Sequence, residues 1–245
     1  MSKLFIGTSG YSYAHWRNGV FYPKGLSKKE ELRYYSQFFN TVELNSPFYH
    51  LPSKLAFLRW YQKTKEDFLF AIKVSRFISH VKYLKNCRDS WLTFYNRAKL
   101  LKEKLGPFLI QLPPNWKKNL KRLREFIGML KEISPKERFA FEFRHKSWFE
   151  KEVFDFFKRH KNISLCQIDS PAWPRTFEIT AQFIYIRMHG SKILYGSKYS
   201  LKELKEWAKR IKKYLKEKLD VYCYFNNDAY GFAIENAKEL LKFCK

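Results

Sequence analysis

The chain has 245 residues, 45% of them hydrophobic, which is enough to bury a large core as one barrel-sized domain or two small ones. Its 48 Lys and Arg against 23 Asp and Glu leave a net charge of +25, favouring anionic partners such as nucleic acid or phosphorylated metabolites. No segment approaches the roughly 20 apolar residues of a membrane span, and Cys87, Cys166, Cys223 and Cys244 form no C-x-x-C pair, so neither a membrane protein nor a short zinc or redox motif is expected.

Short β-rich runs recur along the chain: KLFIGTS at 3–9, TVELNS at 41–46, LFAIKVS at 69–75, PFLIQLP at 107–113, FAFEFR at 139–144, ISLCQID at 163–169, FIYIRMHG at 183–190 and VYCYFNN at 221–227. Most gaps between them carry helix-period text, such as SKKEELRYYSQFF, DSWLTFYNRAKLLKEKL, LKRLREFIGMLKEI and SLKELKEWAKRIKKYL. The gap SPAWPRTFEITAQ is poor helix and reads as an irregular loop. Strands alternating with helices over this length predict an α/β fold of the (β/α)₈ TIM-barrel type, with an open doubly wound sheet as the alternative. Nothing resembles a linker, so a single domain over 1–245 is expected, cytoplasmic and with free thiols.

In a barrel one strand parity faces the helices and the other the interior. The first parity is apolar: Val42 and Leu44; Phe70, Ile72 and Val74; Phe108, Ile110 and Leu112; Phe141 and Phe143; Cys166 and Ile168; Ile184, Ile186 and Met188; Val221, Cys223 and Phe225. The opposite parity turns polar toward each strand's C-terminal end, with Glu43 and Asn45, Lys73 and Ser75, Gln111, Glu142 and Arg144, Gln167 and Asp169, Arg187 and His189, and Asn226. Such ends converge on one mouth, where barrel enzymes place their active sites. Any one member fits a structural ion pair equally well, but buried charges cost several kcal/mol each unless paired, and so many at one end point to a function.

Glu43, Glu142, Asp169 and His189 are the candidates for general acid and base. Glu142, Asp169 and His189 can also make a Mg²⁺ or Mn²⁺ site, though no short ligand motif marks one. Arg144, Arg187 and Lys73 suit a phosphate or carboxylate, and the two arginines are expected to hold an anion between them. Asn45, Gln111 and Asn226 can orient hydroxyls or carbonyls, Ser9 can bind an anion in the first turn, and Tyr49 and Trp148 can stack on a sugar or base. Glu142, beside Arg144, is expected to be ionised and so to suit a general base or metal ligand better than a general acid. Much of the net charge sits in helical text such as KKNLKRLREF and KRIKKYLKEKL, which a solvated surface explains equally well.

The blocks GTSGYSYAHW, FYP at 21–23, TVELNSPFYHLP, LGPFLIQLPP, FEFRHKSW, RMHG and YFNND, in this order over nearly the whole chain, resemble the YecE-like family, domain of unknown function 72 (DUF72). The resemblance implies a TIM-type barrel and supplies no established reaction; a relation to sugar isomerases is an analogy of fold. Its motif positions match at Gly7, Ser9, Gly10, Trp16, Glu43, Asn45, Tyr49, Gln111, Glu142, Arg144, Trp148, Asp169, Arg187, His189, Gly190, Asn226 and Asn227, which adds Asn227 to the binding set, while Tyr11 stands where the family has tryptophan. The expected function is acid/base chemistry, hydrolytic or isomerising, on an anionic, phosphate- or carboxylate-bearing sugar-like substrate. The alternative is a nucleic-acid-processing or nucleic-acid-binding protein that leads a strand to the same mouth over its basic surface.

Overall fold

A computed structural model describes residues 2–245. Every expected strand segment holds a strand: β1 (Leu4–Thr8), β2 (Thr41–Leu44), β3 (Leu69–Lys73), β4 (Leu105–Gln111), β5 (Phe139–Glu142), β6 (Ile163–Leu165), β7 (Gln167–Asp169), β8 (Phe183–Met188) and β9 (Asp220–Phe225). The sixth segment differs from expectation, because it is broken at Cys166 into β6 and β7. All pairings are parallel, in a four-stranded sheet ordered β1-β9-β8-β7 and a five-stranded sheet ordered β2-β3-β4-β5-β6. The architecture is a mixed α/β fold with two parallel sheets.

The sheets meet at two places. Ser9, just past β1, forms a parallel bridge with Glu43 of β2, and the Gly10 N–H donates to the Glu43 carbonyl at 2.8 Å. A Cβ on Gly7 would lie 2.3 Å from the Thr41 carbonyl oxygen, so only glycine lets β1 come this close to β2. At the other place Cys166 alone separates β6 from β7, and its N–H donates to the Phe141 carbonyl at 2.8 Å.

Parallel strands need long crossovers, and the helical text supplies them. α1 (Glu31–Tyr35) is shorter than its sequence pattern, while α5 (Leu120–Ile133) fills its pattern and buries the Leu120, Leu123, Phe126, Ile127 and Leu130 stripe. α4 (Arg88–Ala98) stops short of the expected span and passes into a 3₁₀ segment that Lys102, at φ 50°, interrupts. α7 (Leu201–Lys216) starts at a capping box, in which Ser200 and Glu203 each bond to the other's backbone. α2 (Ser46–Tyr49), α3 (Lys54–Gln62), α6 (Lys151–Lys158) and α8 (Phe232–Cys244) complete the α-helices among the described residues, and residues 170–182 carry no helix.

Two apolar clusters fill the molecule. One packs helices onto the sheets and contains every residue assigned to the helix-facing parity except Cys166 and Ile168. Those two lie in the inner cluster with Phe5, Ala71, Leu109, Ala140, Phe183, Tyr185, Tyr222 and Tyr224. The parity expected for the sixth strand is therefore reversed, and Gln167 and Asp169 face α7. The expectation failed because that strand's outward residues change from apolar Ile163 and Leu165 to polar ones. α7 meets the polar pair with Tyr214, whose hydroxyl donates to Gln167 Oε1 at 3.0 Å, and with Trp207, whose indole N–H donates to Asp169 Oδ2 at 3.0 Å.

Candidate functional site

The C-terminal strand ends of β1, β2, β5 and β8 bring together a network centred on Arg187, which is 1% exposed. Its Nε and Nη2 donate to Glu43 Oε2 and Oε1 at 3.0 and 2.7 Å, and Nη1 donates to Glu142 Oε2 at 2.6 Å. Nη2 also donates to Ser9 Oγ at 3.0 Å, and Nη1 lies 3.4 Å from His189 Nε2. A guanidinium has five N–H donors; four of these hold carboxylate or hydroxyl oxygens, and the fifth points toward the His189 imidazole. Tyr185 donates to Glu43 Oε2 at 2.7 Å, Ser9 Oγ donates to Glu43 Oε1, and Asn45 Nδ2 donates to Ser9 Oγ at 2.7 Å.

Burial alone would push these carboxyls toward the neutral form. For Glu142 it is the largest influence, yet Arg187 and Arg144 together overcome it and hold the carboxyl well below the usual range. Glu142 is thus ionised, as its neighbour Arg144 led us to expect. Burial first, and then Arg187, pushes His189 down to about 4, so its imidazole is neutral near pH 7. The Asn226 side-chain amide lies 3.1 Å from its Nδ1, and the rings of Trp173 and Tyr195 pack edge-on against it.

Above this floor opens a cavity of about 1200 Å³, lined among others by Asn45, Tyr49, Lys73, Gln111, Arg144, Arg187 and Asn226. Two cations there have unspent capacity. Arg144 donates from Nε to Glu142 Oε1 at 2.7 Å and lies over the Trp173 ring at 3.6 Å, while its Nη groups have no partner among the described residues. Lys73 is 9% exposed, its Nζ sits 3.9 Å from the centre of the Phe48 ring, and among the described residues it makes no hydrogen bond or ion pair. Burial, helped by Arg187, lowers Lys73 to about 7.

The expected cluster is thus largely assembled, in two tiers. Glu43, Glu142, His189 and Ser9 lie beneath the cavity lining, with Arg187 between them and the cavity. Arg187 has its donors committed to carboxylates and to neutral groups, so its geometry favours bracing the floor over gripping a ligand. Three expected residues stand apart from the lining. Asp169 is bound by Trp207 and, at 2.7 Å, by Arg175. Asn227 joins Ser197 to Asn236 of α8. Trp148 is buried, stacked on Phe143 at 4.2 Å, with its N–H given to the Trp116 carbonyl. With Asp169 turned to α7, the trio Glu142, Asp169 and His189 does not assemble, and no group of three or more His, Cys, Asp or Glu poised to hold a metal ion occurs among the described residues. Replacing Asp169 by Asn is expected to cost about 1–2 kcal/mol in urea unfolding and to leave ligand binding in the cavity unchanged. Lost binding in a variant of normal stability would return Asp169 to the site.

Several further residues line the cavity beyond the expected set. His80 lies in the turn after β3, with Nε2 3.3 Å from Gln111 Nε2 and Nδ1 2.9 Å from Ser79 Oγ, and burial followed by Lys73 lowers it to about 4. His15 and Asp228 pair at 2.8 Å, with Trp16 donating to the same carboxylate at 3.0 Å. Arg76 and Tyr195 also line the cavity. None of these further lining residues lies on a strand: His15 and His80 sit in single helical turns and the others in segments between elements, so no strand alternation signals the direction of a side chain, and the one signal is a position after a strand end.

Comparison with known proteins agrees with this framework. The UPF0759 protein YunF of Bacillus subtilis is 27% identical over 98% of this chain and 94% of its own length. The UPF0759 protein YecE of Escherichia coli K12 is 32% identical over 60% of this chain and 51% of its own length. The crystal structure of a DUF72 family protein from Thermotoga maritima superposes with a TM-score of 0.86 at 31% identity, covering 98% of each chain. One from Enterococcus faecalis, at 21% identity, shares the fold with a TM-score of 0.82 over 98% of this chain and 95% of its own. The family model described as "Protein of unknown function DUF72" matches residues 5–245, and the chain therefore belongs to the DUF72 family.

Proposed function

We propose that the cavity over Arg187 is the active site of an enzyme that binds an anionic, sugar-sized substrate and performs acid/base chemistry on it. The observation that carries this reading is a pair of unspent donor groups: the Arg144 Nη groups and the Lys73 amine line one cavity without protein acceptors. A phosphate or carboxylate supplies those acceptors, and the planar fork of Arg144 suits bidentate binding. Exposed Arg76 on the rim adds charge that draws such a ligand inward.

The same geometry redistributes the catalytic roles. Glu142 spends its oxygens on Arg187 and Arg144, so it fits an anchor better than a base. His189, neutral near pH 7, fits a hydrogen-bonding partner better than a proton donor. Lys73, held near 7, is the lining group best matched to moving a proton at physiological pH. We also infer that the two sheets close into one eight-stranded barrel forming a single domain, with β6 and β7 as one interrupted strand and the Ser9–Glu43 bridge as the opposite seam. That closure accounts for the strand ends' sharing one mouth.

Calorimetry with pentose and hexose phosphates, sugar acids and their neutral parent sugars tests the reading. The anionic members are expected to bind and the neutral ones not. Arg144→Lys, which keeps charge but loses the fork, is expected to weaken binding about tenfold, or about 1.4 kcal/mol. Equal binding of charged and neutral sugars, or an unaffected Arg144→Lys variant, overturns it. Tyr49, 69% exposed on the same rim as Arg76 and Lys28, supports the second reading, a nucleic-acid strand led to this mouth. Oligonucleotide affinity that falls steeply with salt, alongside no sugar-phosphate binding, selects that alternative.

A further inference from the structure

We propose that Lys73 is a covalent nucleophile that forms an imine with the carbonyl group of an anionic aldehyde or ketone bound in the cavity. The inference rests on the active-site reading above and extends it from proton transfer to a substrate class, anionic carbonyl compounds.

Three observations support it. The first is geometric: Lys73 ends β3 and lines the cavity, its Nζ over the ring of Phe48, another lining residue, and no protein acceptor ties up the amine. A lysine serving structure at this depth would be expected to donate to something, as Lys104 does; it is 4% exposed and donates to the carbonyl oxygens of Tyr61 and Thr64, each at 2.7 Å.

The second is charge. The ionisable groups around Lys73 are Glu43 of β2, Glu142 of β5, Arg187 of β8, Arg144 after β5, and His80 in the turn that follows β3. The two carboxylates are already matched by the two guanidiniums. A Lys73 ammonium would be an unmatched third cation, so the neutral amine with its lone pair is the form these surroundings favour, and burial moves its proton affinity the same way. Only the neutral amine attacks carbonyl carbon.

The third is the company it keeps. The unspent Nη groups of Arg144 can hold an anionic end of the substrate in the cavity that Lys73 lines, and Gln111 and His80 lie beside it to hydrogen-bond a hydroxyl or the carbonyl oxygen. The step balances: the amine nitrogen bonds to the carbonyl carbon, the C=O bond breaks, and the oxygen leaves as water with the two amine hydrogens. No oxidant or reductant is needed. Once it takes up a proton from water, the resulting imine is an iminium that withdraws electrons from the neighbouring carbon and eases loss of a proton from it, or cleavage of the next carbon–carbon bond.

Trapping tests this directly. The protein is incubated at pH 7 with dihydroxyacetone phosphate and sodium cyanoborohydride, which reduces an imine to a stable amine, and the adducts are mapped by peptide mass spectrometry. At pH 7 an amine titrating near 7 has on the order of a thousandfold more neutral form than an ordinary lysine. Lys73 is therefore expected to be labelled first, at least about tenfold faster than any other lysine, with a rate that rises through a midpoint near pH 7. The Lys73→Met variant is expected to lose the fast adduct and keep the slow background.

Two controls separate this proposal from the active-site reading. Fast labelling of Lys73 by both dihydroxyacetone phosphate and neutral dihydroxyacetone, at equal rates, supports the nucleophile and overturns anion recognition. Calorimetric binding of dihydroxyacetone phosphate without an adduct on Lys73 overturns the nucleophile and leaves the anion site standing. Labels spread over exposed lysines, with Lys73 unmodified, also overturn the nucleophile, and this result needs no variant to fold.

Discussion

Replacing Arg187 by Met is expected to remove about 3–5 kcal/mol of folding stability at pH 7, because breaking a buried pair leaves an uncompensated charge in the interior. The wild-type floor is balanced, with Glu43 and Glu142 facing Arg187 and Arg144. Without Arg187, Glu43 keeps only the hydroxyls of Tyr185 and Ser9, and Glu142 keeps Arg144. A buried carboxylate without its cation titrates above its unfolded value of about 4.3. The sign follows from linkage: a group whose folded pKa is raised stabilises below the unfolded pKa, and that stability is lost as pH rises through the folded one. The deficit of the variant is therefore expected to be smallest near pH 4 and to grow toward neutrality. Urea unfolding of both proteins at several pH values measures this. A deficit below about 1 kcal/mol, or one independent of pH, would show that Arg187 does not hold the floor together.

Lys73→Met is expected to act in the opposite direction and stabilise the protein by about 2–4 kcal/mol at pH 7. Lys73 falls from an ordinary value of 10.5 to about 7, so keeping the ammonium buried costs folding energy wherever the unfolded chain would carry it freely. A depressed folded pKa contributes stability that is present above the unfolded pKa and lost as pH falls through the folded one. Wild-type stability should accordingly rise between about pH 7 and about pH 10, and this rise should be missing in Lys73→Met. The advantage of the variant is then largest at or below pH 7 and nearly gone at pH 10.5. Methionine fills a similar volume against Phe48, so packing changes little. A variant less stable than wild type at pH 7 would mark Lys73 as a structural cation and remove the basis for both its proposed roles.

The two predictions differ in sign although both residues are buried cations of one site. Four of the five Arg187 donors have an oxygen acceptor, and Lys73 has none among the described residues. A protein that retains a costly, unpaired charge beside a cavity trades stability for what that group does there.

Strand alternation, read from the sequence alone, located the β segments and predicted that polar residues gather at their C-terminal ends. The local pattern suffices for this, because side chains alternate by geometry and one parity must be apolar to pack against helices. It also placed Glu142 beside Arg144 and anticipated an ionised carboxylate there, although Arg187, brought in from β8, lowers that carboxyl more than Arg144 does. Only the tertiary structure decided which polar side chains face a ligand and which face one another. Arg187 reaches Glu43 across 144 positions of sequence and Glu142 across 45, and nothing local to FIYIRMHG indicates that its donors are taken. In the sixth strand ISLCQID the parity that begins with Ile163 and Leu165 ends with Gln167 and Asp169, and that polar end turns to α7, where Trp207 and Tyr214 supply donors. Alternation determines that neighbouring residues lie on opposite sides, whereas which side is wet, and which charge finds a partner, depends on groups that folding brings from elsewhere in the chain.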